Sequence, residues 1–202
     1  MAYREFDVNR VEAELGVRVV PGAALPHLAP APVPGWLTDY LARAGVLRVA
    51  SEKARGEFII APLLLAVREL TGDAAALFSG ETFDMDKAAG LAGEVDYLLA
   101  LCLPTPILRA PIVAVVEAKR QEIEAGVGQC VAQMVATRRF NERNGLGAAV
   151  VYGCVTTGED WQFLKLDGQT AVYHTERLYR SEVGRILAAF LHVVAQNRHL
   201  AA

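Results

Sequence analysis

The sequence predicts an α/β domain in which helices cover both faces of a sheet, and three observations carry that reading. Ile112-Val113-Ala114-Val115-Val116 is apolar at every position, as a central strand covered on both sides must be. Val127, Cys130, Val131, Met134 and Val135 recur at i, i+3, i+4, i+7 and i+8, the spacing of one buried helical face. At 202 residues, 53% hydrophobic and 21% charged, the chain has the length and composition of a single domain with a substantial core.

The elements follow in order. Phe6, Val8, Val11 and Leu15 make a short amphipathic start, and Pro21, Pro26, Pro30, Pro32 and Pro34 turn residues 20–35 into an extended crossing segment with a short helix from Thr38. Residues 1–50 therefore read as an N-terminal extension, and 51–202 as the main domain. Ser51 is a cap for a largely buried helix closing near Gly72, with Pro62 marking a kink or boundary. Residues 77–85, 95–103 and 111–119 read as three strands, the last two joined by the Pro-rich stretch 104–111; such short links favour antiparallel neighbours. The helix carrying Val127 stops at Asn144-Gly145, and residues 147–155 are an apolar strand. Residues 161–166 and 170–174 form a hairpin around Asp167-Gly168, and 182–197 a final amphipathic helix.

Composition removes several classes of function. The residues 97–116 contain Pro104, Pro106, Arg109 and Pro111, and the apolar run 58–67 is short, so neither spans a membrane. Arg4, Glu5, Asp7 and Arg10 precede any apolar run, which does not read as a secretory signal and sets the cytoplasm as the expected location. Twenty basic against twenty-three acidic side chains give a net charge of −3, so a nucleic acid would have to be met by a local patch. Cys102, Cys130 and Cys154 form no C-x-x-C pair and read as apolar fillers.

Chemistry concentrates where the apolar strand ends, in Glu117-Ala118-Lys119. Side chains alternate along a strand, so Glu117 and Lys119 project from one face and Ala118 from the other. Asp96 borders the preceding apolar strand, and in a hairpin of the two strands it meets Glu117. Two carboxylates in a low-dielectric region repel unless a cation intervenes. A hard divalent ion such as Mg²⁺ (or Mn²⁺) favours oxygen ligands and retains waters, and Lys119 beside it is placed to orient one of them.

Asp96, then Glu117-Ala118-Lys119, then a helix bearing Gln129 and Gln133 resembles the PD-(D/E)XK nuclease superfamily, the fold of many restriction enzymes and resolvases. The helix that opens at Ser51-Glu52-Lys53-Ala54-Arg55 also resembles the first helix of nuclease domains in type I restriction subunits, and the likeness covers roughly residues 51–155. Val95 stands where the motif's name has proline, a position that supplies no ligand. The resemblance implies a restriction-endonuclease-like mixed central sheet flanked by helices, and Mg²⁺-dependent hydrolysis of a nucleic-acid phosphodiester, DNA above all. It makes Asp96 and Glu117 metal ligands with Glu52 completing the set, Lys119 the catalytic lysine, and Gln129 the glutamine found in several branches. A homodimer or larger assembly suits the small footprint of one such domain.

Each feature has a plainer account. Glu117 and Lys119 can be a solvated pair at a strand end. Glu94 competes with Asp96 as the ligand, Glu57 with Glu52, and Glu52 also suits a helix N-terminus. Arg120, Arg138, Arg139 and Arg143 form a cationic strip diluted by Glu122, Glu124 and Glu142; Trp36 and Trp161 suit packing better than base stacking. Gly126-Val127-Gly128 lacks the strand and third glycine of a dinucleotide loop. His27, His174, His192 and His199 lack metalloprotease spacing, and Ser51, Ser79 and Ser181 sit in no nucleophile elbow. The alternative to a nuclease is a scaffold of the same fold that binds protein or nucleic acid without catalysis.

Overall fold

A computed structural model describes residues 2–103, 105–147 and 150–201. Their eight strands form one mixed sheet in the order β1-β7-β6-β5-β4-β3-β2, with β8 also paired to β6. The chain opens with a 3₁₀ turn (Tyr3–Glu5), helix α1 (Val8–Leu15), strand β1 (Arg18–Gly22) and helix α2 (Gly35–Ala44). Helices α3 (Glu52–Arg55) and α4 (Ala61–Leu70) then lead into strands β2 (Ala76–Thr82), β3 (Glu94–Ala100) and β4 (Ile112–Ala118). Helix α5 (Glu124–Arg143), strands β5 (Val151–Thr156), β6 (Asp160–Asp167), β7 (Thr170–His174) and β8 (Leu178–Tyr179), and helix α6 (Val183–Asn197) complete it. No helix among the described residues is long and apolar enough to cross a membrane.

Strand β4 is buried at all seven positions and lies between antiparallel β3 and parallel β5, as its two-sided apolar character requires. One face of the sheet packs on α4 and α6 through Leu63, Leu64, Trp161, Phe163 and Phe190. The other packs on α5 and α1 through Val115, Val127, Val131 and Val135, together with Tyr3, Phe6 and Val11. Cys130 and Cys154 are buried and free, the apolar fillers expected of them. Residues 1–50 contribute to both cores and lend β1 to the sheet edge.

Several boundaries differ from expectation. Arg18–Gly22 is a strand, parallel to β7, where an extended crossing was expected from residue 20; Pro21 is tolerated because an edge strand has an unpaired side on which a missing N–H does no harm. The helix expected from Ser51 to Gly72 runs from Glu52 to Leu70 with one π-helical turn at Gly56–Ile60 just before Pro62, and Ser51 caps its start, its Oγ accepting from Ala54 N–H. The first strand stops at Thr82 instead of 85, because residues 83–93 form an irregular turn closed by Phe83 N–H to Gly93 O and Met85 N–H to Leu91 O. Strand β3 likewise stops at Ala100 instead of 103. The expected apolar strand 147–155 is β5 from Val151, its residues 148 and 149 lying outside the described residues, as does Pro104 of the Pro-rich link.

Helix α5 carries Gln129, Gln133, Thr137 and Asn141 at four-residue spacing, and the last three are fully buried. Asn141 clamps the start of β4: its Nδ2 donates to Ile112 O at 2.7 Å and its Oδ1 accepts from Ile112 N–H at 3.0 Å. This fixes the helix against the strand one end away from the Glu117 region. Asn141→Ala would strand both backbone groups in the core and is expected to lower unfolding free energy by about 2–4 kcal/mol, measured by urea denaturation.

Candidate active site

The register of β3 and β4 pairs Tyr97 with Val116 and Leu98 with Val115, and one further step sets Asp96 opposite Glu117. There the ladder is capped by a side chain: Asp96 Oδ2 accepts from Ala118 N–H at 2.7 Å. Glu117 is 3% exposed, so the pair it makes with Lys119 is a buried one and not a solvated strand end. Lys119 Nζ lies 2.7 Å from Glu117 Oε1 and donates to Gln129 Oε1 at 3.0 Å. The second carboxylate oxygen, Glu117 Oε2, accepts from Gln133 Nε2 at 2.7 Å. Period-two alternation thus delivers Glu117 and Lys119 to the α5 face together, as the sequence pattern requires.

The electrostatics follow from burial. Loss of water pushes the Glu117 carboxyl up to about 7, and the neighbouring Asp96 charge adds to that rise; Lys119 and Gln133 oppose it. Asp96 is raised too, mainly by burial, with the Ala118 N–H and Lys119 pulling the other way and Glu52 and Glu94 adding to the rise. Both acids hold their protons more tightly than usual chiefly because burial disfavours the charged form.

A cavity of about 480 Å³ opens beside them, lined by Glu52, Glu57, Ser79, Glu94, Asp96 and Tyr97 among others; Glu117 is not in its lining. The π-helical turn shapes one wall. Glu52, Lys53, Gly56 and Glu57 all line it, and the Ala61 N–H to Gly56 O bond widens the helix just beyond. Gly56 is needed there, since a Cβ would stand 2.7 Å from the Tyr97 hydroxyl oxygen. Arg55 Nη1 donates to Thr157 O at 2.5 Å and holds this helix against the turn after β5.

The expected site residues are brought together unequally. Glu117, Lys119 and Gln129 form one hydrogen-bonded group, and Asp96, bonded to the intervening Ala118 N–H, is near enough for its charge to act on Glu117. Glu52 borders the same cavity, but its Oε1 accepts from Arg120 N–H at 3.0 Å. Among the described residues no three His, Cys, Asp or Glu side chains are gathered closely enough to hold an ion, so the expected three-acid set with Glu52 is not formed. What Asp96 and Glu117 do offer is hard, anionic oxygen under mutual repulsion, which fits Mg²⁺ or Mn²⁺ in chemical kind. The competitors Glu94 and Glu57 also line the cavity.

Two features were weighted differently in the sequence. Gln133, ranked behind Gln129, is the residue that touches Glu117; its place four residues after Gln129 on one helical face was the available signal. Gly126-Val127-Gly128 turns out to be a packing motif. A Cβ at Gly126 would lie 2.9 Å from Lys119 Cε and 2.7 Å from Val155 Cγ1, and one at Gly128 would lie 2.3 Å from the Asp7 carbonyl carbon. The first glycine seats the lysine stem and the second admits the N-terminal backbone. The arginine strip is engaged elsewhere: Arg138 pairs with Gly168 O, Arg139 with Asp86 at 2.9 Å, and Arg143 with Met85 O at 3.1 Å. Trp161 is buried in the core, and Trp36 Nε1 donates to Glu69.

Comparison with models of protein families and with curated proteins finds no match to this chain.

Because the folded state holds a proton on Glu117 up to about pH 7 while an unfolded chain releases it near the ordinary value of 4.5, the folded form binds more protons between those limits. Stability in metal-free buffer is therefore expected to fall as pH rises through that window, by on the order of 3 kcal/mol. Glu117→Gln should flatten the decline, read from urea midpoints at pH 5 and pH 8; an unchanged slope would show that Glu117 titrates normally.

Proposed function

We propose that this protein is a nuclease of the restriction-endonuclease type that hydrolyses phosphodiester bonds of DNA with Mg²⁺ or Mn²⁺. The observation that carries the reading is the placement of Asp96, with Oδ2 on Ala118 N–H at 2.7 Å, beside the Glu117–Lys119 pair, in which the ammonium lies 2.7 Å from Glu117 Oε1. Asp96 and Glu117 would hold the ion. When bound, such an ion lowers the pKa of a coordinated water and neutralises charge on the phosphate.

The remaining roles belong to the chain. Lys119 holds and orients the attacking water beside Glu117 and balances negative charge that grows on the phosphate oxygens. Gln129 keeps the ammonium in place through its Oε1 at 3.0 Å, and Gly126 leaves room for the lysine stem. Glu52, on the cavity wall, is available to assist once released from Arg120 N–H. The cavity gives the scissile group an approach past Asp96, while the neighbouring acids Glu52, Glu57 and Glu94 disfavour a polyanion unless cations accompany it.

A second reading, a non-catalytic scaffold that binds protein or nucleic acid, is favoured by one observation. Both oxygens of Glu117 already accept a hydrogen bond, from Lys119 and from Gln133, so the polar group is self-contained.

Cleavage of single- and double-stranded DNA in the presence of Mg²⁺ separates the two. Asp96→Asn and Lys119→Met are each expected to lower the rate by about 10²-fold or more while melting as cooperatively as wild type. Binding of DNA without cleavage by wild type would favour the scaffold, and equal rates in all three proteins would remove Asp96 and Lys119 from the chemistry.

A further inference from the structure

The cavity beside Asp96 is lined by acids, whereas another, of about 390 Å³, has no acid among its described lining residues. It lies on the face of the sheet that packs on α6, and Glu117 faces α5. Antiparallel register sets Tyr152 of β5 directly opposite Lys165 of β6, so the two side chains rise from one face as neighbours. Helix α6 brings His192 and Gln196 over them one turn apart, and His199 continues that stripe past the helix end. The His192 ring meets the Tyr152 ring edge-on with centroids 6.5 Å apart. Burial first and then the Lys165 charge lower the His192 pKa, so the ammonium is close to that ring. The donors here are under-used. Tyr152 is 4% exposed and lines the cavity, and among the described residues its hydroxyl makes no hydrogen bond, although a buried tyrosine normally finds a partner. The ionic partner of Lys165 is Asp167 at 3.7 Å, and both side chains are open to water, which makes that pair weak. Gln196 and His199 stand exposed at the rim, and Leu146 and Leu200 give the cavity an apolar wall.

We infer that this cavity is a second binding site, separate from the candidate active site, for an organic phosphate of mononucleotide size: the Lys165 ammonium and the Tyr152 hydroxyl take the phosphate, Gln196 and His199 close on it from the rim, and Leu146 and Leu200 hold the organic body. The inference does not rest on the nuclease reading. Lysine meets phosphate as a point charge, whereas a planar carboxylate is best met by the paired N–H groups of an arginine, and no arginine is among the described lining residues. Donors arriving from β5, β6 and α6 suit a tetrahedral oxyanion, which offers oxygens in several directions. The volume is that of a small-molecule pocket and exceeds what a bare phosphate fills.

The test is calorimetric titration of the full chain in EDTA, which keeps divalent ions away from Asp96 and Glu117. Deoxyadenosine monophosphate is the probe, and inorganic phosphate and deoxyadenosine separate the bare anion from the bare organic body. Wild type is expected to bind the nucleotide saturably and at least about tenfold more tightly than either fragment. Lys165→Met, which keeps the side-chain stem, should weaken the nucleotide about tenfold or more, and Tyr152→Phe, which keeps the ring against His192, about three- to tenfold. Lys119→Met should bind as wild type does, because its ammonium lies on the other face of the sheet. In wild type alone the His192 ring resonances should move on addition of the nucleotide, a readout that needs no variant. Unmoved resonances, or wild-type affinity in Lys165→Met, would overturn the inference. Loss of binding in Lys119→Met would overturn it by placing the phosphate in the candidate active site. Affinity for deoxyadenosine equal to that for the nucleotide would remove the anion site, and equal affinity for inorganic phosphate would remove the organic body. No saturable binding of any probe at about 10 mM would end the inference and leave the nuclease reading standing.

Discussion

A carboxylate buried at the end of a central strand has to be answered by donors or positive charge, and much of the local architecture exists to answer Glu117. The strand on which it sits is covered on both faces, so water is excluded from either side. The answer comes partly from the same strand, where Lys119 reaches back two residues, and partly from α5, where Gln129 and Gln133 lie one turn apart. For the helix to supply both glutamines it must come close to the sheet. Gly126 permits that approach over the lysine stem, and Asn141 secures it at the other end of β4. The N-terminal backbone seated on Gly128, and the Tyr3 hydroxyl donating to Phe83 O, tie the first turns of α5 to the loop that precedes β3.

Topology explains why the two acids meet here. Strands β4 and β5 are parallel and joined through α5, which places the carboxyl end of β4 at a crossover. Strand β3 runs antiparallel to β4, so its first residues arrive at that same end. Asp96 then accepts a hydrogen bond from the Ala118 N–H, in place of a main-chain acceptor on β3, beside the cavity. The helix that opens at Glu52 supplies the facing wall. Glu57 faces the cavity with Lys53, one turn before it on the same helical face, and with Glu52.

What the sequence made legible was what local periodicity encodes. Strand alternation predicts that Glu117 and Lys119 share a face, and the three short-linked strands predict that Asp96 comes opposite Glu117. Long-range pairing left no such trace. Strand β1 contains Pro21, which argues against a strand until the edge position is known, and β8 has two residues, too few to show a period. The role of Gln133 depended on the rotation of α5 relative to β4, a tertiary quantity. The link between Glu52 and Arg120 N–H spans 68 positions, and nothing near either residue announces it.

The same physics bears on the choice between a catalytic site and an inert scaffold. A buried ion pair adds little to stability that well-packed apolar side chains would not exceed, because desolvation of both charges offsets their attraction. Here the balance is worse than for an isolated pair. Asp96 raises the proton affinity of Glu117 further, the Lys119 ammonium is shared with Gln129, and Gln133 carries an unpartnered oxygen into the core. A group assembled for stability alone would place its cation between the acids. Lys119 instead bonds Gln129 and one acid of the two, and its charge only partly offsets the rise that burial imposes on both Asp96 and Glu117. Such an arrangement gains most from a further positive charge arriving at the two carboxylates, and that gain is largest for a small divalent ion with hard oxygen preference. On the proposed nuclease reading, that excess of negative charge is what a divalent ion beside the lysine would offset.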